Sequence, residues 1–188
     1  MYQDIRRTYE HLGGNRLQRF FGCLRTPGLH AVLIFRFGQW LSSKPLPLRL
    51  LLKPVFLMLF HRVRAAWGIE LSPGAVIGKG FLIFHYGGIF VGSKVVIGEN
   101  CSISHDVTIG LAGRGQRRGA PVIGDNVYIA PGAKLAGRIR IGNNARIGAN
   151  AVVEKNVPDS ALVQTGPVKI VTFPGLYSQT DHAGREDA

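Results

Sequence analysis

The sequence predicts a mainly β protein: a parallel β-helix of hexapeptide repeats, preceded by a small α-helical N-terminal region. Aliphatic residues recur in a register of six, and Gly often follows them. This period is typical of a parallel β-helix, in which three short strands complete one triangular coil and the aliphatic side chains stack inside. Gly and Asn are expected at its tight corners. The register has thirteen members: Leu71, Ile77, Ile83, Val91, Ile97, Ile103, Ile109, Ile123, Ile129, Leu135, Ile141, Ile147 and Val153.

The register is interrupted twice, and both interruptions are candidate functional features. The step from Ile83 to Val91 is eight residues, and the two extra residues fall around His85. The step from Ile109 to Ile123 is fourteen, which leaves a loop rich in Gly and Arg over residues 111–121. A solenoid accepts insertions at its corners, and such insertions commonly build the working face. We therefore favour a functional role over neutral surface loops.

The chain before the repeats reads as helical over residues 2–66. We expect a polar, mixed helix over 4–21, a second helix from Pro27 to about residue 43, and a third from Leu48 to Trp67 with a kink at Pro54. The resulting organisation is a helical region over 1–68, a β-helix over 69–166 and a C-terminal tail over 167–188. Helices at one end of a solenoid can cap the stack.

The charge of the chain is concentrated at its N-terminal end. The formal net charge is +12, and residues 1–68 hold eleven Lys and Arg against Asp4 and Glu10. No nucleic-acid reading motif accompanies the charge, so we expect no nucleic-acid partner. The apolar stretch 46–60 is too short and interrupted to span a bilayer, which needs about 20 apolar residues. Peripheral association with a membrane surface and packing within the protein or its oligomer both stay open, and we favour packing.

The expected location is the cytoplasm. The two cysteines, Cys23 and Cys101, form no disulfide framework, and no signal peptide opens the chain. The basic N-terminal region would suit the inner face of the membrane.

His85 is the leading catalytic candidate. A histidine at an exposed corner has a pKa suited to removing a hydroxyl proton near neutral pH. Three hexads and the two extra residues separate His85 from His105, so both should occupy equivalent places on successive coils. Glu70, just before the first coil, could reach the same corner from beneath and orient His85. We predict no metal, because a zinc site of this kind needs three histidines and the β-helix offers two.

Several segments of the chain resemble the serine acetyltransferase family of hexapeptide acyltransferases. The resemblance covers about residues 2–172, and is specific to acyl transfer but less so to the acceptor. It rests on Gly68–Gly78, His85–Ile89, Val107–Gly110, Pro121–Val127, Gly132–Lys134 and Ile147–Val153 in the β-helix, and on Gly28–Ala31 and Phe35–Phe37 before it.

The resemblance implies a left-handed β-helix and acetyl-CoA as the acyl donor. It makes His85 the general base and places the family's acidic partner, commonly Asp, on Glu70. Three-fold assembly is the natural outcome for a triangular prism, so we expect a homotrimer or a dimer of trimers. The implied contacts with coenzyme A fall on Ala130, Gly132, Ala133, Gly148, Ala149 and, for a phosphate, Lys169.

The groups expected to hold serine are replaced. Phe84 stands where the family has Asp, and Gly119 and Ala120 stand where the family has Arg and His. Residues 13–15 lack the Asp-Pro that the family has in this region. Phe84 and Tyr86 would suit the apolar face of a sugar ring, so we predict a sugar or polysaccharide-precursor acceptor. The alternatives are serine O-acetylation in cysteine biosynthesis and a non-catalytic scaffold. The candidate substrate contacts are Phe84, Tyr86, His105 and Arg118.

Overall fold

The N-terminal region consists of four helices in the computed structural model, which describes residues 1–115 and 118–166. These are α1 (Tyr2–His11), α2 (Arg16–Arg25), α3 (Pro27–Ser42) and α4 (Leu46–Trp67). The segment predicted as one helix over 4–21 is two. Gly14, at φ +98°, breaks it, and Asn15 caps α2 by accepting from the Gln18 backbone N–H at 2.9 Å.

The strands that follow form three parallel sheets, as expected of a triangular β-helix. The first sheet has the order β1-β4-β7-β10-β13, the second β11-β8-β5-β2 and the third β14-β12-β9-β6-β3. The strands are β1 (Ile69–Leu71), β2 (Val76–Ile77), β3 (Leu82–Ile83), β4 (Ile89–Val91), β5 (Val96–Ile97), β6 (Ser102–Ile103), β7 (Thr108–Gly110), β8 (Val122–Ile123), β9 (Tyr128–Ile129), β10 (Lys134–Ala136), β11 (Arg140–Ile141), β12 (Arg146–Ile147), β13 (Val152–Val153) and β14 (Leu162–Val163).

The predicted register forms the core. All thirteen aliphatic positions are at most 5 % exposed, which confirms the inward stacking. Asn100, Asn126 and Asn144 take positive φ at corners, as expected. Most of the repeated glycines have another cause: a Cβ on Gly78, for example, would lie 2.5 Å from the carbonyl carbon of Gly98 on the next coil. Close backbone stacking therefore excludes a side chain there.

The helices close the N-terminal end of the stack. Ala31, Val32 and Phe35 of α3 and Val63 of α4 are buried in the same core as the β-strand residues. α4 ends in the left-handed Gly68 cap, immediately before β1. None of the helices in the described residues has both the length and the hydropathy that a membrane-spanning segment needs.

A buried carboxylate fixes α1 against this cap. The Asp4 side chain is fully buried and accepts from Arg36 Nε at 3.1 Å and from the Phe81 backbone N–H at 2.9 Å. Arg7 adds hydrogen bonds to the Cys101 carbonyl at 3.2 Å and to Ser102 Oγ at 3.0 Å. Charge-assisted bonds of this kind hold a helix in one orientation. They place the end of α1 beside the first interruption.

Candidate active site

The first interruption presents His85 on an exposed edge of the β-helix. β3 pairs with β6 through Ile83 and Ile103, and the Phe84 N–H donates to the Ile103 carbonyl at 3.0 Å. The chain then leaves the sheet at His85, which is exposed. Gly87 and Gly88 turn it into β4 with φ of +108° and +64°. The extra residues therefore project the imidazole outward from the corner.

His105 occupies the equivalent place on the next coil, as the register predicts. The two imidazole centroids are 5.8 Å apart and the rings are inclined at 74°. His105 Nδ1 lies 3.4 Å from Ser104 Oγ, and the His105 ring is half-buried. The pair forms a small polar surface at one corner.

Glu70 is not brought to His85. Ile69 and Leu71 on either side point into the core, so Glu70 faces outward from the first sheet, toward the last turns of α4. There its Oε2 pairs with Arg64 Nε at 3.3 Å. Within the described part of the chain, no ion pair within 4.0 Å joins Glu70 to His85. Its catalytic role has no geometric support in this arrangement and stays a prediction.

Phe84 and Tyr86 flank His85 in different ways. The Phe84 ring packs edge-on against His11, with centroids 4.6 Å apart, and against Tyr128 at 5.8 Å. It therefore anchors the end of α1 as well as facing the site. Tyr86 is 57 % exposed and free to contact a ligand.

A groove of about 330 Å³ joins His85 to the helical region. The β-helix contributes residues 83–86, and the helices contribute Gly22 and residues 25–28. The close approach is possible because a Cβ on Gly28 would lie 2.7 Å from Ile83 Cβ. The junction of α2 and α3 therefore forms one wall of the groove.

Arg25 is a site residue that the sequence reasoning missed. It is the last residue of α2, it is exposed, and its side chain lines the His85 groove. A second groove, which includes Asn15 and Gln18, also reaches Arg25. In the sequence Arg25 is only one of several arginines. Its neighbours along the chain give no signal of a site, because the docking of α3 on the β-helix decides the position of Arg25.

The predicted coenzyme A residues lie on the same edge of the prism as the two histidines. Backbone hydrogen bonds of 2.8–3.1 Å link each coil to the next along this edge. The Asp106 N–H donates to the Gly87 carbonyl, the Gly132 N–H to the His105 carbonyl, and the Asn150 N–H to the Pro131 carbonyl. We call this the histidine edge. It also carries the positions predicted from the resemblance: Ala130, Gly132, Ala133, Gly148 and Ala149.

A ligand along the histidine edge would meet mainly backbone and small side chains. Coils stack about 4.8 Å apart, so three coils from His85 to Ala149 span about 14 Å. Ala133 is fully buried as a whole residue, so it lies behind the surface that a ligand would touch. Lys169 lies outside the described residues.

Arg118 lies on a different edge. The second interruption follows β7, where the first sheet passes into the second, whereas His85 lies where the third passes into the first. Ala112 and Gly119 form an antiparallel bridge in this loop, and a groove beside it is lined by Gly137 and Glu154 of the later coils. Within one chain the structure does not join Arg118 to His85.

The chain is similar in sequence to proteins of known activity. A serine acetyltransferase from Helicobacter pylori strain J99 is 34% identical over 146 residues, covering 78% of this chain and 82% of that protein. The chain belongs to the serine acetyltransferase family. Residues 120–155 match the family model described as bacterial transferase hexapeptide (six repeats). A Synechococcus elongatus serine acetyltransferase is 33% identical over 86% of this chain, which spans 64% of its length.

Solved structures of family members superpose on most of the chain. The serine acetyltransferase of Brucella abortus strain S19 in complex with coenzyme A has a TM-score of 0.74 and 30% identity, covering 90% of this chain and 65% of that one. The Neisseria gonorrhoeae enzyme in complex with serine has a TM-score of 0.69 and 32% identity, covering 90% and 66%. The expected parallel β-helix and family membership are both confirmed.

Proposed function

We propose that this protein transfers the acetyl group of acetyl-CoA to the hydroxyl of L-serine, with His85 as general base. The observation that carries the proposal is the exposed His85 imidazole, which lies on the histidine edge and in the groove formed with α2 and α3. An imidazole that reaches solvent can accept a hydroxyl proton near neutral pH. Family membership supplies the reaction class.

The proposed reaction needs only one proton-transferring group. The His85 imidazole accepts the proton of the acceptor hydroxyl as its oxygen attacks the thioester carbonyl carbon, giving a tetrahedral intermediate. Backbone N–H groups of the site would stabilise its oxyanion. The C–S bond then breaks, and the imidazolium returns the proton to the departing thiolate. The products are the acetyl ester and coenzyme A.

Serine is the acceptor favoured by the relatives, so our first expectation of a sugar acceptor gives way to its alternative. The relatives reported above are serine acetyltransferases, and one of them is in complex with serine. The family residues that hold serine are replaced here. We propose that Arg25, which lines the groove with His85, pairs with the serine carboxylate.

Acetyl-CoA is proposed to lie along the histidine edge. The Brucella abortus enzyme in complex with coenzyme A supports this donor. Positions Gly132, Gly148 and Ala149 would let its pantetheine arm approach the backbone because they carry little or no side chain. In this arrangement the thioester would end beside His85, and Glu70 would have to leave Arg64 to contribute.

A sugar hydroxyl stays a second candidate acceptor because of one specific observation. The position before His85 is the aromatic Phe84, and Tyr86 after it is 57 % exposed. An exposed aromatic ring beside the general base would pack against the apolar face of a sugar. The same groove would then hold a sugar that carries a phosphate, paired with Arg25.

An acceptor screen tests the proposal. Purified protein with acetyl-CoA is offered L-serine, nucleotide sugars and oligosaccharides in parallel, and coenzyme A release and the acetylated product are both measured. We expect O-acetylserine, and His85→Ala should lower kcat/KM by about 10²–10⁴-fold while the exposed control His61→Ala leaves it unchanged. Acetylation of sugars alone would favour the second candidate. An inactive protein would favour a scaffold.

Arg25 is tested separately. Arg25→Gln should raise the KM for L-serine by about tenfold and leave acetyl-CoA hydrolysis without acceptor unchanged, since one charge-assisted pair contributes about 1–3 kcal/mol. Arg16→Gln is the matched control, because Arg16 is an exposed arginine at the start of the same helix and does not line the groove. Equal effects of both substitutions would contradict a carboxylate contact.

We propose that the active unit is a homotrimer or a dimer of trimers. Because Arg118 and His85 lie on different edges of the prism, assembly through the flat sheets would bring the loop of one subunit toward the histidine edge of another. Light scattering gives the mass of the assembly, and a monomer with full activity would contradict the proposed assembly.

The proposed location of the protein is the cytoplasm, at the inner face of the membrane.

A further inference from the structure

The outward face of α4 is apolar and has no partner among the residues that the structure describes. Only Phe56 and Val63 of this 22-residue helix are buried. Large apolar side chains in its first four turns are exposed, including Leu51 at 71 % and Met58 at 62 %. Residues 47, 50, 51, 54 and 58 share one side of the helix by their spacing, and Phe56 and Val63 share the opposite side. We call these five residues the α4 face: Pro47, Leu50, Leu51, Pro54 and Met58.

Every ionisable side chain on α4 is basic or a histidine. Arg49, Lys53 and Arg62 are exposed, and α4 contains no Asp or Glu. The two acidic residues of the whole helical region are engaged elsewhere: Asp4 pairs with Arg36, and Glu10 pairs with Arg6. By the same spacing Arg62 borders the α4 face, Lys53 lies on the flank of the helix and Arg49 lies on the side of Phe56. The α4 face is therefore an apolar strip on a helix whose charge is only positive.

This charge selects among the surfaces that could cover an apolar strip. A second copy of α4 would bring Arg62 and the net positive charge of its helix toward the same charge on the first helix, with no carboxylate on either helix to offset it. Like charges at short range oppose such a contact. A surface of negative headgroups over an apolar interior matches both the strip and its border.

We propose that the α4 face binds the surface of an anionic lipid bilayer, with the helix lying in the plane of the interface. Pro47, Leu51 and Met58 would enter the boundary between headgroups and acyl chains, and the long side chains of Arg62 and Lys53 would reach headgroups from the border and flank of the helix.

Binding there would hold the candidate active site close to the bilayer. α4 leads directly through Gly68 into β1, and the Ile89 N–H donates to the Gly68 carbonyl at 2.9 Å. Ile89 follows the interruption that carries His85. The inference does not depend on the acceptor, because it rests on α4 alone.

Vesicle co-sedimentation of the full chain tests the proposal. Vesicles of equal parts phosphatidylcholine and phosphatidylglycerol should pellet the protein, and phosphatidylcholine alone should not. Leu51→Glu with Met58→Glu should weaken binding at least about tenfold, since two apolar anchors are lost and negative charge is added. The matched control is Phe20→Glu with Leu24→Glu, at positions that are both 56 % exposed on α2, and it should bind like the wild type.

Three results would overturn the proposal. The first is no difference between the two vesicle compositions, and the second is equal loss of binding in the test and control pairs. The third is a wild-type protein that binds neither kind of vesicle, together with a Leu51→Glu, Met58→Glu variant whose mass in light scattering is lower than that of the wild type. This result would assign the α4 face to contact with a second copy of the chain. Circular dichroism of each variant, measured at the same protein concentration, shows that folding is retained.

Discussion

Asp4 provides the most stringent test of how the helical region is held on the β-helix. Its carboxylate is fully buried and accepts from Arg36 Nε and Nη2 at 3.1 and 3.0 Å, and from the Phe81 N–H at 2.9 Å. The N-terminal ammonium of Met1 lies 2.9 Å away. Asp4→Asn keeps the size of the side chain but removes its charge and turns one acceptor into a donor.

The expected cost is large because the partners are donors that stay buried. Removing one member of a buried ion pair typically costs about 3–5 kcal/mol. Glu10→Gln is the matched control, since Glu10 pairs with Arg6 at 2.7 Å while both side chains are more than half exposed. An exposed pair of this kind contributes about 0–1 kcal/mol. Asp4→Asn should therefore lower the free energy of unfolding several-fold more than Glu10→Gln.

The pH dependence gives a second signature. Burial raises the pKa of Asp4, but the hydrogen bonds and charge of Arg36, the ammonium of Met1 and the Phe81 N–H lower it more, so it lies below the ordinary 3.8. A depressed carboxyl pKa stabilises the fold above the pKa of the unfolded chain, and this stability is lost as pH falls through the folded pKa. The difference between wild type and Asp4→Asn should be constant from about pH 5 to 8 and shrink below about pH 4.

Urea unfolding at one protein concentration, followed by circular dichroism, measures both quantities. A cost for Asp4→Asn below about 1 kcal/mol, or equal to that of Glu10→Gln, would refute the view that this carboxylate anchors α1. A difference that grows as the pH falls would refute the sign of the linkage.

Three further predictions concern the groove and the core. Gly28→Ala should cost about 1–3 kcal/mol in urea unfolding and raise the acceptor KM, because its Cβ would lie 2.7 Å from Ile83 Cβ; Gly13→Ala, with nothing within 4 Å, should be near neutral. Burial raises the pKa of Cys101 to about 11, so its thiol should not react with a disulfide reagent at neutral pH until the protein unfolds. Fast reaction of this thiol in the native protein would contradict the prediction. His105→Ala should lower kcat/KM by about tenfold, far less than His85→Ala, and an equal loss in steady-state kinetics would make the two histidines a catalytic pair.

Much of the fold could be predicted because the β-helix is periodic. Every coil repeats the same inward positions, so one register identifies all the core residues from Leu71 to Val153. The equivalence of His85 and His105 follows from the same counting, and the rings lie 5.8 Å apart. The counting fails where the chain is not periodic. The segment over 4–21 is two helices because Gly14 and Asn15 break and restart it.

The site was predictable only in part, because half of its surroundings come from the docked helices. Glu70 has the right residue type and distance along the chain, yet α4 brings Arg64 to within 3.3 Å of it. Phe84 looked like a ligand contact, and its ring is packed between His11 and Tyr128. Arg25 carried no signal in its neighbours along the chain.

The sequence by itself determined the parallel β-helix, its core and the corner that carries His85, since each depends on local spacing within a repeating coil. Only the tertiary structure decided which groups surround that histidine. Three features depend on how the four helices lie against the first coil: the groove with Arg25, the pairing of Glu70 with Arg64, and an α4 face that the other described residues leave exposed. That docking is set by long-range contacts such as Asp4 with Arg36 and Phe81, whose partners are 32 and 77 residues away in the sequence.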